Sequence, residues 1–186
     1  LAIILYGDLD ISIIDELPPN RKKIETYAVT KAYEERVNNF IAKQVDSGRQ
    51  CYIVCPLVEE NEEMDLKSAV ELTKTYKEKI FPKYKVECLH GKMKAKEKDE
   101  IMERFKNGDI DILVSTTVIE VGVNVPNANL MIIENAERFG LAQLHQLRGR
   151  VGRGEYQSYC ILKYNGNSQN IKERMEVISK SNDGFV

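Results

Sequence analysis

From about residue 24 the chain alternates short apolar runs with stretches in which apolar residues recur every third or fourth position. The runs Cys51-Tyr52-Ile53-Val54-Cys55, Lys85-Val86-Glu87-Cys88-Leu89, Ile112-Leu113-Val114, Leu130-Met131-Ile132-Ile133 and Tyr159-Cys160-Ile161-Leu162 predict five strands. Ile24 to Val29 gives a weaker sixth. Tyr33, Val37, Phe40, Ile41 and Val45 form a helical stripe, with Thr30 as its expected N-cap and Gly48 as its stop signal. Ala69, Leu72, Tyr76 and Ile80 repeat that period before Pro82, and Ile101, Met102 and Phe105 do so before Gly108. Strands alternating with helices predict an α/β fold, a mainly parallel doubly wound sheet with helices on both faces. Ligands of such sheets bind beyond the carboxyl ends of the strands, so the loops that follow strands are the first place to look for chemistry.

Residues 1–23 fit neither period. Pro18-Pro19-Asn20 followed by Arg21-Lys22-Lys23 reads as a linker. Inside it, Ile11-Ser12-Ile13-Ile14-Asp15-Glu16 looks like the apolar strand and acidic pair that hold magnesium in ATPases. The prolines directly behind it, and the lack of a phosphate-binding loop ahead of it, favour the linker. The first residue is not Met and the last ones, Asn182-Asp183-Gly184-Phe185-Val186, read like mid-protein sequence, so a fragment is expected.

Charge narrows the function classes. With 186 residues the chain can bury a sizeable core, and 27 Lys+Arg against 29 Asp+Glu give a net charge of −2. A uniformly basic nucleic-acid binder is thereby excluded, and any polyanion contact must come from a local patch. No apolar run approaches the roughly 18 residues of a membrane span, and Leu1 to Leu5 lack the flanks of a signal peptide. Cys51, Cys55, Cys88 and Cys160 form no CxxC pair, and only His90 and His145 could join them as ligands. Buried, reduced thiols in a cytosolic protein are expected, and no metal site.

Phosphate loops are missing as well. Only Gly149 and Gly154 have Walker A spacing, and Glu155 stands where the lysine belongs. What remains is Gln146-Leu147-Arg148-Gly149-Arg150-Val151-Gly152-Arg153-Gly154. Residues 138–153 hold Arg138, Arg148, Arg150 and Arg153 and no acid, a local +4. Arg150 and Arg153 would share a face if this stretch were helical. Ser115, Thr116 and Thr117 follow a predicted strand and either offer hydroxyls and N–H groups to phosphates or cap a helix. His90, after a strand and before Gly91, is either a satisfied structural histidine or a ligand contact. Lys92, Lys94, Lys96 and Lys98 are offset by Glu97, Asp99, Glu100 and Glu103 and read as a solvated helix start. Glu59 to Asp65 reads as an exposed acidic loop.

Gln146-x-x-Gly149-Arg150-x-Gly152-Arg153 resembles motif VI of superfamily 2 helicases. Ser115 to Pro126, including Gly122 and Asn124, resembles their motif V. Leu89-His90-Gly91, and the strand running into Cys55-Pro56, resemble a Ia-equivalent motif and motif IV of the second RecA-like lobe. Glu137 to Arg150 is similar to a segment shared by the RecG family of bacterial ATP-dependent DNA helicases and the transcription-repair coupling factor. The leader, Tyr6-Gly7-Asp8-Leu9-Asp10 through Pro18-Pro19, resembles the RecG segment that follows motif III and tips the resemblance towards that family.

The resemblance implies a RecA-like α/β lobe at residues 24–165, an interlobe linker at 1–23 and the start of a translocation element at 166–186. It implies a DNA helicase or translocase that remodels branched DNA in repair and recombination. ATP with magnesium would be held mainly by a first RecA-like lobe of the same protein. By the same resemblance Arg150 and Arg153 would reach the terminal phosphates, with Gln146, Gly149, Gly122 and Asn124 near the nucleotide. Asn124 stands where many relatives carry Asp. Pro56, His90, Gly91, Ser115, Thr116 and Thr117 would contact the DNA backbone, His145 would support motif VI, and a cytoplasmic monomer with no membrane contact is implied. Two other readings stay open: the equivalent lobe of the coupling factor, and a flavodoxin-like small-ligand domain, which lacks its acidic phosphoacceptor cluster and Gly-rich first loop here.

Overall fold

A computed structural model describes residues 24–57, 62–116, 125–151, 154–166 and 168–180. Six strands form one sheet: β1 Glu25–Val29, β2 Gln50–Val54, β3 Val86–Leu89, β4 Ile112–Ser115, β5 Ala128–Ile133 and β6 Tyr159–Lys163. Their order is β1-β6-β5-β2-β4-β3, and each neighbouring pair is parallel. The expected doubly wound α/β sheet is therefore present, wholly parallel among the described residues. Register places Ile53 of β2 beside Val114 of β4 and Ile132 of β5. The middle strands are buried on both sides, which is why they read as unbroken apolar runs rather than as alternations.

Helices α1 Glu34–Asp46, α2 Glu62–Thr75, α3 Ala95–Lys106, α4 Leu141–Arg148 and α5 Gln169–Lys180 cover both faces. Cys51, Ile53, Val114 and Ile132 pack with Val37 and Ile41 of α1 and Ala69 of α2. Their neighbours in sequence, Tyr52, Val54, Leu113 and Met131, point the other way. That second core includes Phe105 of α3, Leu144 and Leu147 of α4, and Met175 and Ile178 of α5. The strand period of two thus splits each apolar run between two cores.

Three local expectations are corrected. Thr30 does not cap α1 with its side chain; a 3₁₀ turn, Lys31–Tyr33, intervenes, and the Tyr33 N–H donates to the Thr30 carbonyl at 3.0 Å. The second helical stripe does not stay α-helical to its end. At Tyr76–Ile80 it widens into a π-helical turn, where the Phe81 N–H donates to the Tyr76 carbonyl at 2.7 Å and the two rings stack 5.6 Å apart. Pro82, with no N–H and a ring that blocks the preceding turn, ends it. The acidic run is no exposed loop throughout: α2 begins at Glu62, and Asp65 is 8% exposed because it shares the inward stripe with Ala69, Leu72 and Tyr76; residues 58–61 lie outside the described residues. Gly48 and Gly108 do end their helices as expected, both in the left-handed region that Cβ-bearing residues avoid.

Candidate functional site

The carboxyl edge of the sheet gathers one group of the expected site residues. Pro56 follows β2, Ser115 and Thr116 end β4, and His90 and Gly91 follow β3, on three adjacent strands. The Cys55 N–H donates to the Ser115 carbonyl at 2.8 Å, and the Thr116 N–H donates to the Leu89 carbonyl at 3.2 Å. These bonds extend the sheet ladder past the strand ends and lock the row together. They also occupy the Thr116 N–H, so a contact from this residue to a ligand would use its hydroxyl. Ser115 and Thr116 are buried, while Gly91 is exposed and Pro56 and His90 half-buried. Burial holds the His90 imidazole below its ordinary pKa, with Glu97 pulling up and Lys98 pushing down. The neutral ring is favoured near pH 7, and its Nδ1 is enclosed without a hydrogen-bond partner. Thr117 lies outside the described residues.

The second group lies elsewhere. α4 crosses between parallel strands β5 and β6 and must run antiparallel to them, so its C-terminus returns to the amino edge. Gly149 and Arg150 form the turn that leaves it, with the Gly149 N–H donating to the His145 carbonyl and the Arg150 N–H to the Leu147 carbonyl. The helix itself stops at Arg148, so Arg150 is not on it. Gln146 is exposed and Arg150 half-buried. Burial pushes the Tyr52 phenol up to about 12, and the nearby positive charge of Arg150 pulls back on it. The six residues of β5, at about 3.3 Å each, separate the two edges by roughly 20 Å. Arg153, Gly122 and Asn124 lie outside the described residues.

Gly154 explains how the arginine turn is seated. A Cβ built there would stand 2.5 Å from the Pro126 carbonyl oxygen and 3.1 Å from its carbon. Only glycine lets the backbone pass so close to the segment that precedes β5. Behind it, Asn129 donates through Nδ2 to the Gln157 carbonyl at 2.8 Å.

Arg148 was counted in the local +4, but it takes no part in a surface patch. It is 2% exposed, donates to the Ile178 carbonyl at 2.9 Å and meets His145 Nδ1 at 3.0 Å. It ties α4 to α5, and His145 supports it.

One buried group escaped the sequence reading. Lys163, the last residue of β6, is 8% exposed and pairs with Glu134 Oε2 at 3.0 Å and Glu34 Oε1 at 3.1 Å. It also donates to the Tyr76 hydroxyl at 3.2 Å. Burial by itself would depress the ammonium; Tyr76, Glu134 and Glu34 outweigh it and hold it above the usual lysine range. Burial likewise pushes the Glu134 carboxyl up, against the pull of Lys163. The one available signal was a charge closing each of two neighbouring apolar runs, Lys163 after Leu162 and Glu134 after Ile133.

Next to that pair, the segment after β5 is fixed from several sides. Asn135 has φ 49°, unusual for a residue with a Cβ, and its Oδ1 accepts from Asn165 Nδ2 at 3.1 Å. The Asn165 N–H donates to Glu137 Oε1 at 3.0 Å, and Arg174 of α5 donates to the Glu137 and Phe139 carbonyls. The four cysteines are free, three of them buried, and burial pushes the Cys55 thiol up to about 12, away from thiolate chemistry. Among the described residues no group of three or more His, Cys, Asp or Glu could hold a metal ion, and no helix is long and apolar enough to cross a membrane.

The chain is 50% identical to the ATP-dependent DNA helicase RecG of Bacillus subtilis (strain 168), over its whole length but only 27% of that protein's. Among solved structures, RecG bound to a three-way DNA junction superposes with a TM-score of 0.77 and 45% identity, covering 91% of this chain and 22% of that one. Domain 2 of the DEAD-box helicase Mss116p, bound to an RNA duplex, shares the fold at 19% identity, with a TM-score of 0.58 over 83% of this chain and 68% of its own. The helicase conserved C-terminal domain family matches residues 32–155, two thirds of the chain. With its RecA-like parallel sheet and that match, the chain belongs to the helicase conserved C-terminal domain family.

Proposed function

We propose that this chain is the second motor lobe of a RecG-type ATP-dependent DNA helicase that remodels branched DNA in repair and recombination. The observation that carries the reading is the 50–52% identity to RecG proteins over alignments that cover the whole chain, residues 1–23 and α5 included. Residues 1–23 serve as the interlobe linker and 24–165 as the lobe. Residues 166–186 begin the translocation element, whose helix α5 packs back on the lobe.

The two edges divide the work. At the carboxyl edge Pro56, His90, Gly91, Ser115 and Thr116 follow the DNA backbone, mainly with hydroxyls and a neutral imidazole, and Thr117 is assigned to the same contact by its motif. Contacts of this kind position a strand without reading its sequence and need no basic surface. At the amino edge the turn after α4 presents Arg150 to a nucleotide between the lobes, with Gln146 and Gly149 beside it; Arg153, Gly122 and Asn124 are assigned to the same nucleotide by the resemblance of their motifs. ATP and its magnesium are held mainly by the first lobe of the same protein. Phosphoryl transfer spreads charge over phosphate oxygens, and a planar, permanently charged guanidinium stabilises that charge better than an ammonium does. Alternate closing and opening of the interlobe cleft then moves the DNA contacts of one lobe relative to the other. The protein acts as a cytoplasmic monomer.

The test uses the full-length protein and a three-way DNA junction. Junction-stimulated ATP hydrolysis is expected, with no turnover by residues 1–186 alone. Turnover indifferent to DNA, or undiminished by Arg150→Ala, would refute the reading.

A further inference from the structure

The carboxyl edge also holds a cleft of about 430 Å³ between α2 and the segment after β5. One wall is apolar: Pro56, Met64 and Leu72, with Leu57 beside Pro56 in the chain. Leu57 is 51% exposed and Met64 64%, two of the four large hydrophobic side chains that the described residues leave open. Ser68 stands among them on α2, and the facing segment after β5 carries Asn135 and Arg138, groups that offer both donors and acceptors.

The occupant follows from the chemistry of the walls. A phosphate is disfavoured, because Arg138 is the single cation among the lining residues and the wall opposite it is largely apolar. A strongly cationic ligand is disfavoured too: Lys163 already neutralises Glu134, and Asp65 is buried and engaged within the protein. Cys55, held protonated by burial, is no nucleophile. What fits is a neutral, flat group with apolar faces and a polar edge. The fixed geometry of the polar wall suits recognition of such an edge, since Asn135 is pinned by Asn165 and Glu134 by Lys163.

The cleft is continuous with the row of proposed DNA contacts. Pro56 belongs to both, and Cys55, on the cleft wall, donates its N–H to Ser115 of that row. Apolar side chains at the edge of a nucleic-acid track commonly wedge against bases and unstack them. We infer that this cleft receives one unpaired nucleobase from the strand whose backbone crosses the carboxyl edge, with Leu57 and Met64 against its face and Asn135 and Arg138 at its polar edge. The inference rests on the proposed DNA-binding role of that edge.

The experiment is an abasic scan. The full-length protein is titrated with junctions carrying a single-stranded arm, in which one nucleotide at a time is replaced by an abasic tetrahydrofuran residue. Wild-type affinity is expected to fall about three- to tenfold at one or two adjacent positions and to change little elsewhere. The double variant Leu57→Ser, Met64→Ser, altered only at exposed positions, should bind intact DNA as weakly as wild type binds the critical abasic strand. It should lose the positional sensitivity while the slope of log affinity against log salt stays the same, because phosphate contacts are untouched. Salt-dependent binding with no sensitive position, or a double variant that keeps the wild-type profile, would overturn the nucleobase site and leave the DNA track standing. No salt-dependent binding at all would remove the track, and the site with it.

Discussion

Arg148 and Arg150 stand two positions apart and perform different tasks. Arg148 spends its donors inside the protein, on the Ile178 carbonyl and His145, whereas Arg150 stands half-buried in the turn after α4 and is the residue proposed to meet the nucleotide. Arg150→Ala in the full-length protein should lower kcat for DNA-stimulated ATP hydrolysis by about 10³ or more, with DNA affinity held within about twofold. Arg150→Lys should recover little of it, because an ammonium cannot span two phosphate oxygens. Steady-state ATPase assays with parallel DNA titrations check both. At Gly154 the constraint is steric: a methyl group cannot share space with the Pro126 carbonyl oxygen. Gly154→Ala should cost about 1–3 kcal/mol in urea unfolding and slow hydrolysis as the arginine turn shifts.

At the level of elements, Lys163 joins the ends of three neighbouring strands, since Glu34 follows β1 and Glu134 follows β5. Its pKa is raised by folding, so its stabilisation is fully present below the ordinary lysine value and is lost only as pH climbs above that range. Lys163→Met leaves Glu134 buried without its cation and should cost about 3–5 kcal/mol at pH 8. In that variant the folded state prefers the protonated Glu134 carboxyl, so the loss should shrink as pH falls towards 5, the opposite trend from acid denaturation of a paired carboxylate. Urea titrations across pH would reveal it, and adding Glu134→Gln should restore part of the loss at pH 8. The strands were legible to within two residues because a parallel sheet buried on both faces demands continuous apolar runs. The charge hub was not, because neither Lys163 nor Glu134 carries any local sign of its partner. Arg148 misled for the same reason: a sequence displays charge, while burial is decided by what packs above it.

Across the whole molecule, those expected site residues that are described separate into two groups at opposite edges of one sheet. Order along the chain could not reveal this, because it depends on α4 running back against the strands. A loop after a strand and a loop after a helix face opposite ways. The separation predicts that the two proposed functions can be removed independently. His90→Ala in the full-length protein should raise the DNA concentration for half-maximal ATPase about three- to tenfold, with kcat at saturating DNA within about twofold. Had both groups lined one pocket, the two parameters would fall together.

The sheet order has a consequence for how the protein is made. Among the described residues β1 has a single neighbour, β6, and Glu25 lies opposite Tyr159. On the ribosome β1 emerges first and its partner last. At about 5–20 residues per second, β1 waits on the order of ten seconds with its backbone groups unpaired. Meanwhile β2, β4 and β3 can assemble around nearer partners, and β5 can join them. The sheet therefore closes by capturing its own first strand only when β6, the last of the six, has emerged. Slowing translation between β5 and β6 should lengthen the interval in which that strand is open to chaperones and proteases.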